Sequence, residues 1–225
     1  MIRFFDILFS GCALILLSPL FLITIIILRF SGEGEIFYLQ DRVGKDKKLF
    51  KLYKFATMYK NSEFTGTGTI TIKNDPRILP IGGYLRKSKI NELPQLVNVF
   101  RGDMSLIGPR PQTMRCFNAF PMSCQKDIVK LRPGLSGIGS VIFHNEESLI
   151  DKAQNPESFY DDVLMPYKGS LEQWFVINHS IKNYFLLIYI TIFIIFFSSS
   201  NIVWRGFKDL PDPPNLLANV LNFSD

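Results

Sequence analysis

At 225 residues the chain is one domain, or one domain with a short appendage, and long enough to bury a sizeable core. With 47% hydrophobic and 20% charged residues it is not a disordered segment, and three cysteines, Cys12, Cys116 and Cys124, exclude a disulfide scaffold and read as reduced thiols. Two histidines, His144 and His179, give a zinc site little to work with, while a net charge of +5 suits a membrane surface, phosphate ligands or nucleic acid without choosing among them.

Residues 7–28 are an uncharged run of 22 residues between Asp6 and Arg29. As a helix it is about 33 Å long, against a bilayer core of about 30 Å. A signal peptide fits poorly, because the run is long, Asp6 opens it and no small-residue cleavage site follows. Ser18-Pro19 lies near its middle, where a proline removes a helix hydrogen bond and crowds the preceding turn. Two readings stand: a kinked spanning helix, or a helix–break–helix hairpin that enters and returns on one side. Arg3 and Arg29 flank the run, and the positive-inside tendency favours both ends on the cytoplasmic face.

The middle of the chain is globular in composition. GEIFYLQDRVG (34–44) predicts a strand into a turn at Gly44. KDKKLFKLYKFATM (45–58) reads as a strand or hairpin whose lysines face water or anionic headgroups. NSEFTGTGTIT (61–71) predicts a mobile loop with Gly66 and Gly68 as breakers. Asn74-Asp75-Pro76 starts a turn that leaves Arg77 on a rigid frame.

The densest segment is 82–112. Ile90, Leu93, Leu96, Val97 and Phe100 recur at helical spacing, with Pro94 tolerable if Asn91 is the N-cap and Gly102 the stop. Glu92 then sits at the positive end of a helix, a natural phosphate and metal-phosphate position; plain capping explains the same residues. GPRPQ (108–112) holds Arg110 between two prolines, which suits bidentate phosphate recognition or simply a rigid turn. LRPGLSGIGSVIF (131–143) predicts a Pro-Gly turn and then an apolar strand, and His144 to Glu147 a solvated loop. The apolar run 184–197 is short for a span and reads as a core strand, a buried helix or a membrane-embedded segment. No nucleophile elbow, Walker loop or paired zinc motif is present.

The hairpin around Ser18-Pro19, FYLQDRVG (37–44), YKFATM (53–58), NDPRI (74–78), YLRK (84–87), NELPQLVNVFRGDMSLIGPRPQ (91–112) and RPGLSGIG (132–139) together resemble the bacterial sugar transferase family, the small monotopic phosphoglycosyl transferases. The likeness runs over nearly the whole chain, and ELPQ followed by GDMSLIGPRP at this spacing is very specific. It implies a mixed, helix-rich α/β fold: a re-entrant membrane helix–break–helix over 1–30, a small cytoplasmic catalytic domain over 31–182, and an apolar segment with a C-terminal tail over 183–225. It further implies an enzyme at the cytoplasmic face of the bacterial inner membrane. Such enzymes move a sugar 1-phosphate from a UDP-sugar to undecaprenyl phosphate, release UMP, need Mg2+ and start a surface glycan such as O-antigen lipopolysaccharide, capsule, exopolysaccharide or glycoprotein glycan.

By the same resemblance the catalytic pair falls on Asn91-Glu92, with Glu92 holding magnesium, Arg110, Arg77 and Arg86 binding substrate phosphate, and Ser18-Pro19 breaking the membrane helix. The family has Asp-Glu at the pair, the aspartate being its nucleophile. An amide does not readily form an acyl phosphate, and Ala56 stands where the family usually has arginine. Glu92 attacking, or direct attack by the lipid phosphate, would bypass Asn91, with Asp75, Asp103, Glu146 and Glu147 as candidate helpers. A catalytically inactive membrane scaffold of the same fold is the alternative from another class. A nucleic-acid binder rests on charge alone and lacks an aromatic–basic motif, so no nucleic-acid partner is expected. A homo-oligomer is compatible with the sequence, which names neither the sugar nor the oligomeric state.

Overall fold

The structure, a computed structural model, describes residues 1–62, 75–151, 153–197, 201–207, 209–218 and 221, excepting the side chains of residues 147, 151 and 201. The expected loop with Gly66 and Gly68, and Asn74, lie outside the described residues.

The apolar N-terminal run forms two helices, α1 (Ile2–Leu16) and α2 (Ser18–Arg29), bent by 60° at the break. Pro19 lies in the first turn of α2, where a missing N–H costs no helix hydrogen bond. Leu17 N–H closes α1 on the Ala13 carbonyl at 2.8 Å, and Ser18 Oγ donates to the Ile15 carbonyl at 2.8 Å. No single described helix is long and apolar enough to cross a membrane; the bent pair together has the length and composition. Ile15, Leu16, Leu22, Ile23 and Phe30 are exposed around the bend and at the end of α2, an apolar surface of the kind that marks an interaction site.

Strands β1 (Phe37–Val43) and β2 (Leu49–Phe55) pair as an antiparallel hairpin, Phe37 opposite Phe55 and Val43 opposite Leu49. Gly44 and a 3-10 turn at Lys45–Lys47 connect them, with Asp46 at φ 56°. Helix α3 (Pro80–Lys87) follows, then a left-handed Lys89, a 3-10 turn at Ile90–Glu92 and helix α4 (Gln95–Arg101). Gly102 ends α4 at φ 101°, as a C′ glycine does. Asn91 does not cap this helix. Its side chain makes no capping hydrogen bond, and the α-helix starts only behind Pro94, whose missing N–H precedes the first helical bond.

Strand β3 (Ser105–Ile107) runs parallel to β4 (Gly134–Ser136), with α5 (Met114–Asn118) and α6 (Met122–Ile128) between them. The expected apolar strand ending at 143 is instead helix α7 (Ile138–Ile142). Ile138, Val141 and Ile142 are buried at i, i+3 and i+4, a helical period that so short an apolar run does not reveal by itself. The chain continues through α8 (Glu146–Asp151), α9 (Pro156–Phe159), a π-helical turn at Tyr160–Leu164 and α10 (Met165–Ile177). The solvated loop expected after His144 is therefore a turn into α8.

The 184–197 run lies in α11 (Ile181–Phe197), with α12 (Asn201–Gly206) and α13 (Asn215–Ala218) beyond it. Tyr184, Leu187, Ile190 and Ile194 join Phe117, Leu164, Leu171 and Phe175 in the main core, which thus continues past residue 182. Tyr189, Ile192, Ile195, Phe196 and Phe197 are exposed on the same helix. A second cluster, Leu28, Phe55 and Leu85, packs α2 against β2 and α3.

Where β3 gives way to the arginine loop, Gly108 passes directly over Gly134. A Cβ on Gly134 would collide with the Gly108 backbone nitrogen, and one on Gly108 with the Arg132 carbonyl. These are backbone atoms that cannot rotate away, so Gly134→Ala is expected to cost about 1–3 kcal/mol or more. Thermal unfolding should show a fall in Tm of about 4 °C or more.

Candidate active site

Three segments converge on one half-buried cluster of charge. The first is β2, fastened to α4 by Asn98. This fully buried amide donates from Nδ2 to the Lys51 carbonyl at 2.8 Å and accepts the Tyr53 N–H at Oδ1 at 3.0 Å. That cross-link sets Lys54, next along β2, beside the turn that carries Asn91 and Glu92. The second is that turn. The third is the Gly108-Pro109-Arg110 loop, held by Gly108 N–H on the Ser136 carbonyl (3.0 Å) and Gly134 N–H on the Pro109 carbonyl (2.8 Å).

Arg110 Nη2 lies 3.5 Å from Glu92 Oε1, a loose pair with the glutamate more buried than the arginine. Burial alone would raise the Glu92 carboxyl, but Arg110, Lys54 and Lys89 outweigh it and hold it at about 2. Glu92 is therefore ionised throughout the physiological range. Lys54 shows the opposite imbalance. Burial, helped by the charges of Arg42, Arg110 and Arg86, overcomes the pull of Glu92 and lowers the amine to about 7. Arg42 is lowered to about 10, first by burial and then by Arg110. Arg42, Arg86 and Arg110 thus all press on Lys54, while Glu92 and Glu146 draw on Arg110. That concentration of positive charge on half-buried side chains suits an anion.

Behind Arg110 lies a second layer. Glu172, 1% exposed, accepts the Arg110 backbone N–H at 3.3 Å, and its Oε2 has no partner. Burial lifts its carboxyl to about 7, against the pull of the Arg110 and Gly139 N–H groups and of Lys168. Gly139 leaves the room: a Cβ there would come within 2.6 Å of Glu172 Oε1. Lys168, also buried, donates to Glu146 Oε2 at 2.8 Å. Tyr160 is kept neutral by burial, its hydroxyl pushed well above the usual phenol range.

The other expected site residues fall in different places. Arg86 is half-buried and close enough to depress Lys54. Glu146 is close enough to raise Arg110, so it belongs to the cluster. Arg77 does not present an open fork: its Nε and Nη2 donate to Asp75 Oδ1 and Oδ2 at 2.8 and 2.6 Å, and Nη1 to the Ser62 carbonyl at 3.0 Å. A phosphate would have to displace Asp75 from a planar, bidentate match, so this pair braces the turn. Asp103 accepts the Asn98 Nδ2 group at 3.1 Å in the turn that ends α4. Glu147 lies outside the described side chains. Asn91 is 6% exposed and its Oδ1 has no hydrogen-bond donor, an uncommon state for a buried amide.

Sequence reasoning missed Lys54, Arg42, Lys168, Tyr160 and Glu172. Three of these carried a signal. Lys54 is two residues from buried Leu52 and so shares its inward face of the strand. Lys168, Leu171, Glu172 and Phe175 follow the i, i+3, i+4, i+7 stripe of a core-facing helix, with two charges inside it.

The profile of the bacterial sugar transferase family matches residues 1–198. The chain belongs to the bacterial sugar transferase family. An exopolysaccharide production protein of Sinorhizobium fredii is 38% identical over 160 residues, covering 65% of this chain and 70% of that protein. The UDP-N-acetylgalactosamine-undecaprenyl-phosphate N-acetylgalactosaminephosphotransferase of Aeromonas hydrophila is 41% identical over 144 residues, 62% of this chain but only 33% of that larger protein. The UDP-glucose:undecaprenyl-phosphate glucose-1-phosphate transferase of Escherichia coli is 30% identical over 157 residues, 68% of this chain and 34% of that protein.

Two measurements check the electrostatics. An anion favours protonated Lys54, so calorimetric affinity for UDP should be greatest below pH 7 and fall by up to about tenfold per unit as pH rises past about 7. Lys54→Met should flatten that dependence. Glu172 has a folded value near 7 against an unfolded value near 4.5, so its ionisation opposes folding, not at all below pH 4.5 and increasingly up to pH 7. Glu172→Gln should therefore stabilise the protein at pH 8, by about 1–3 kcal/mol, and leave Tm little changed at pH 4.5.

Proposed function

We propose that this chain is a phosphoglycosyl transferase that moves a sugar 1-phosphate from a UDP-sugar to undecaprenyl phosphate and releases UMP. It would work at the cytoplasmic face of the bacterial inner membrane, with the α1–α2 hairpin as its re-entrant anchor, and start the assembly of a surface glycan. The observation that carries the reading is the gathering of half-buried cations beside Glu92. Arg110 lowers both Lys54 and Arg42, and a sugar nucleotide's diphosphate would relieve that repulsion. Family membership and the activities for which the relatives are named support the same substrates.

Chemically, an acceptor phosphate oxygen attacks the phosphorus bearing the sugar. A P–O bond forms to the acceptor, the P–O bond to UMP breaks, and the electron pair leaves with UMP. The cations neutralise the charge on the transferring oxygens, which is where most of the barrier reduction in phosphoryl transfer arises. Lys54, titrating near neutrality, can hold a proton against the leaving phosphate. Asn91 offers no carboxylate for an acyl phosphate, so the reading adopted is direct attack by the lipid phosphate.

Mg2+ fits this arrangement. Among the described residues no three metal-ligating side chains gather. Magnesium is commonly held by one or two carboxylates with the remaining positions on phosphate and water. Glu92, always ionised, and the unpaired Oδ1 of neighbouring Asn91 are the oxygens that would hold it. When bound it supplies charge neutralisation at the diphosphate. The inactive scaffold remains a second reading because of Asn91 and Ala56.

Purified protein in lipid nanodiscs with Mg2+ and a panel of UDP-sugars separates these readings. UMP release should require undecaprenyl phosphate, and intact-mass measurement should find no phosphosugar adduct. Glu92→Gln should lower turnover by about 100-fold or more, and Arg110→Lys, which keeps the charge but loses the fork, by about tenfold or more. Release of UMP without acceptor would replace direct attack with a covalent route. No release with any UDP-sugar would establish the scaffold.

A further inference from the structure

The first turns of α1 do more than lead into an apolar hairpin. Asp6 is 2% exposed, and a single carboxylate oxygen, Oδ1, accepts three hydrogen bonds of 2.9 Å. They come from Ser105 Oγ and the Leu106 N–H, both in β3, and from the Tyr184 hydroxyl of α11. One turn earlier, Arg3 donates from Nη1 to the Val99 carbonyl at 2.6 Å and from Nη2 to the Phe100 carbonyl at 2.8 Å. Those are carbonyls of the last turn of α4, where Val99 also takes the Gly102 N–H at 3.1 Å. Arg3 lies over Gly102, where a Cβ would stand 3.2 Å from Nη2. Gly11, about two turns beyond Arg3 on the same helix, packs on Phe100, where a Cβ would stand only 3.3 Å from the ring.

Besides Tyr184 of α11, these contacts reach the two limbs of the phosphate site. Leu106 lies four residues before Arg110 on the strand that leads into its loop. Val99 and Phe100 end the helix that begins three residues after Glu92. One face of α1 therefore grips the far end of both segments whose near ends meet as the Glu92–Arg110 pair. The loose 3.5 Å spacing of that pair gives it little ability to hold itself in register.

We propose that Asp6 and Arg3 are positioning residues for the phosphate site, so that the apolar N-terminal helix sets the Glu92–Arg110 geometry as well as anchoring the chain. This rests on reading that pair as the phosphate site. A carboxylate is suited to the task because it is acceptor-only, and three donors converging on it cannot be satisfied by an apolar side chain.

The test uses full-length protein in nanodiscs and whichever UDP-sugar supports turnover. Asp6→Ala is expected to lower kcat by about tenfold or more. Asp6→Asn, which keeps an acceptor oxygen, should recover most of it, and Tyr184→Phe, which removes one donor of three, should fall between. The decisive readout is the calorimetric Kd for UDP of the folded protein, because the active fraction shows separately in the binding stoichiometry. With Arg110 and Glu92 out of register, Kd in Asp6→Ala should rise by about tenfold or more. A purely structural role would lower Tm and the stoichiometry and leave Kd in place, which overturns the proposal; so does wild-type kcat in folded Asp6→Ala. Should Asp6→Ala not fold, Tyr184→Phe decides by the same Kd. Glu92→Gln separates the two ideas: an active Glu92→Gln protein removes the site reading itself, whereas an inactive one beside an unaffected Asp6→Ala removes only the clasp.

Discussion

The constraint on which this structure turns is the confinement of Arg42, Lys54 and Arg110 beside Glu92. Lys54 and Arg42 lose hydration and are disfavoured further by Arg110, which is why Lys54 falls to about 7 and Arg42 to about 10, while Glu92 and Glu146 favour the charge of Arg110. Glu92 meets only part of the demand. A site left in that state is costly to fold, and the chain keeps it by bracing every participating segment from outside: Asn98 across to β2, the Gly108–Gly134 crossing beneath the arginine loop, and Glu172 behind the Arg110 backbone. Local instability at a functional site is thus carried by tertiary packing elsewhere.

The braces differ in chemistry according to what they hold. Backbone crossings at Gly108 and Gly134 fix position without any charge of their own, so they leave the potential at the site unchanged. Glu172 is a carboxyl that burial keeps near half-protonated at neutrality, which lets it accept N–H groups without fully neutralising Arg110. The Arg77–Asp75 pair is matched in charge and geometry, and for that reason it stiffens a turn instead of binding anions. The same residue type, arginine, is closed on a bidentate carboxylate at 77 and only loosely paired, at 3.5 Å, at 110.

The N-terminal hairpin is joined to this scaffold by polar contacts at its base and by apolar ones along its length. Asp6 and Arg3 reach backbone and hydroxyl groups of the globular part, while Leu28 is buried with Phe55 and Leu85. The outer faces of α1, α2 and α11 stay apolar and exposed, with Phe5 and Phe185 in edge contact at 5.0 Å linking α1 to α11.

The sequence by itself determined what short-range chemistry dictates. The uncharged run with a proline at its centre made a broken helix, the alternating FYLQDRV made a strand ending at Gly44, and Gly102 stopped α4, because each depends on a residue's own backbone freedom or on its near neighbours. The motif around Glu92 and Arg110 was legible for the same reason. Only the tertiary structure decided the rest. Asn91 lost its capping role because the chain enters α4 through a 3-10 turn set by packing, and 138–142 became a helix because its buried positions face partners on α10 and α11. Arg77 is bound up by Asp75, and Lys54 and Glu172 come beside Glu92 and Arg110 from a strand and a helix remote in sequence. Charge in a fold acts through distance and dehydration, and neither is written in the order of the residues.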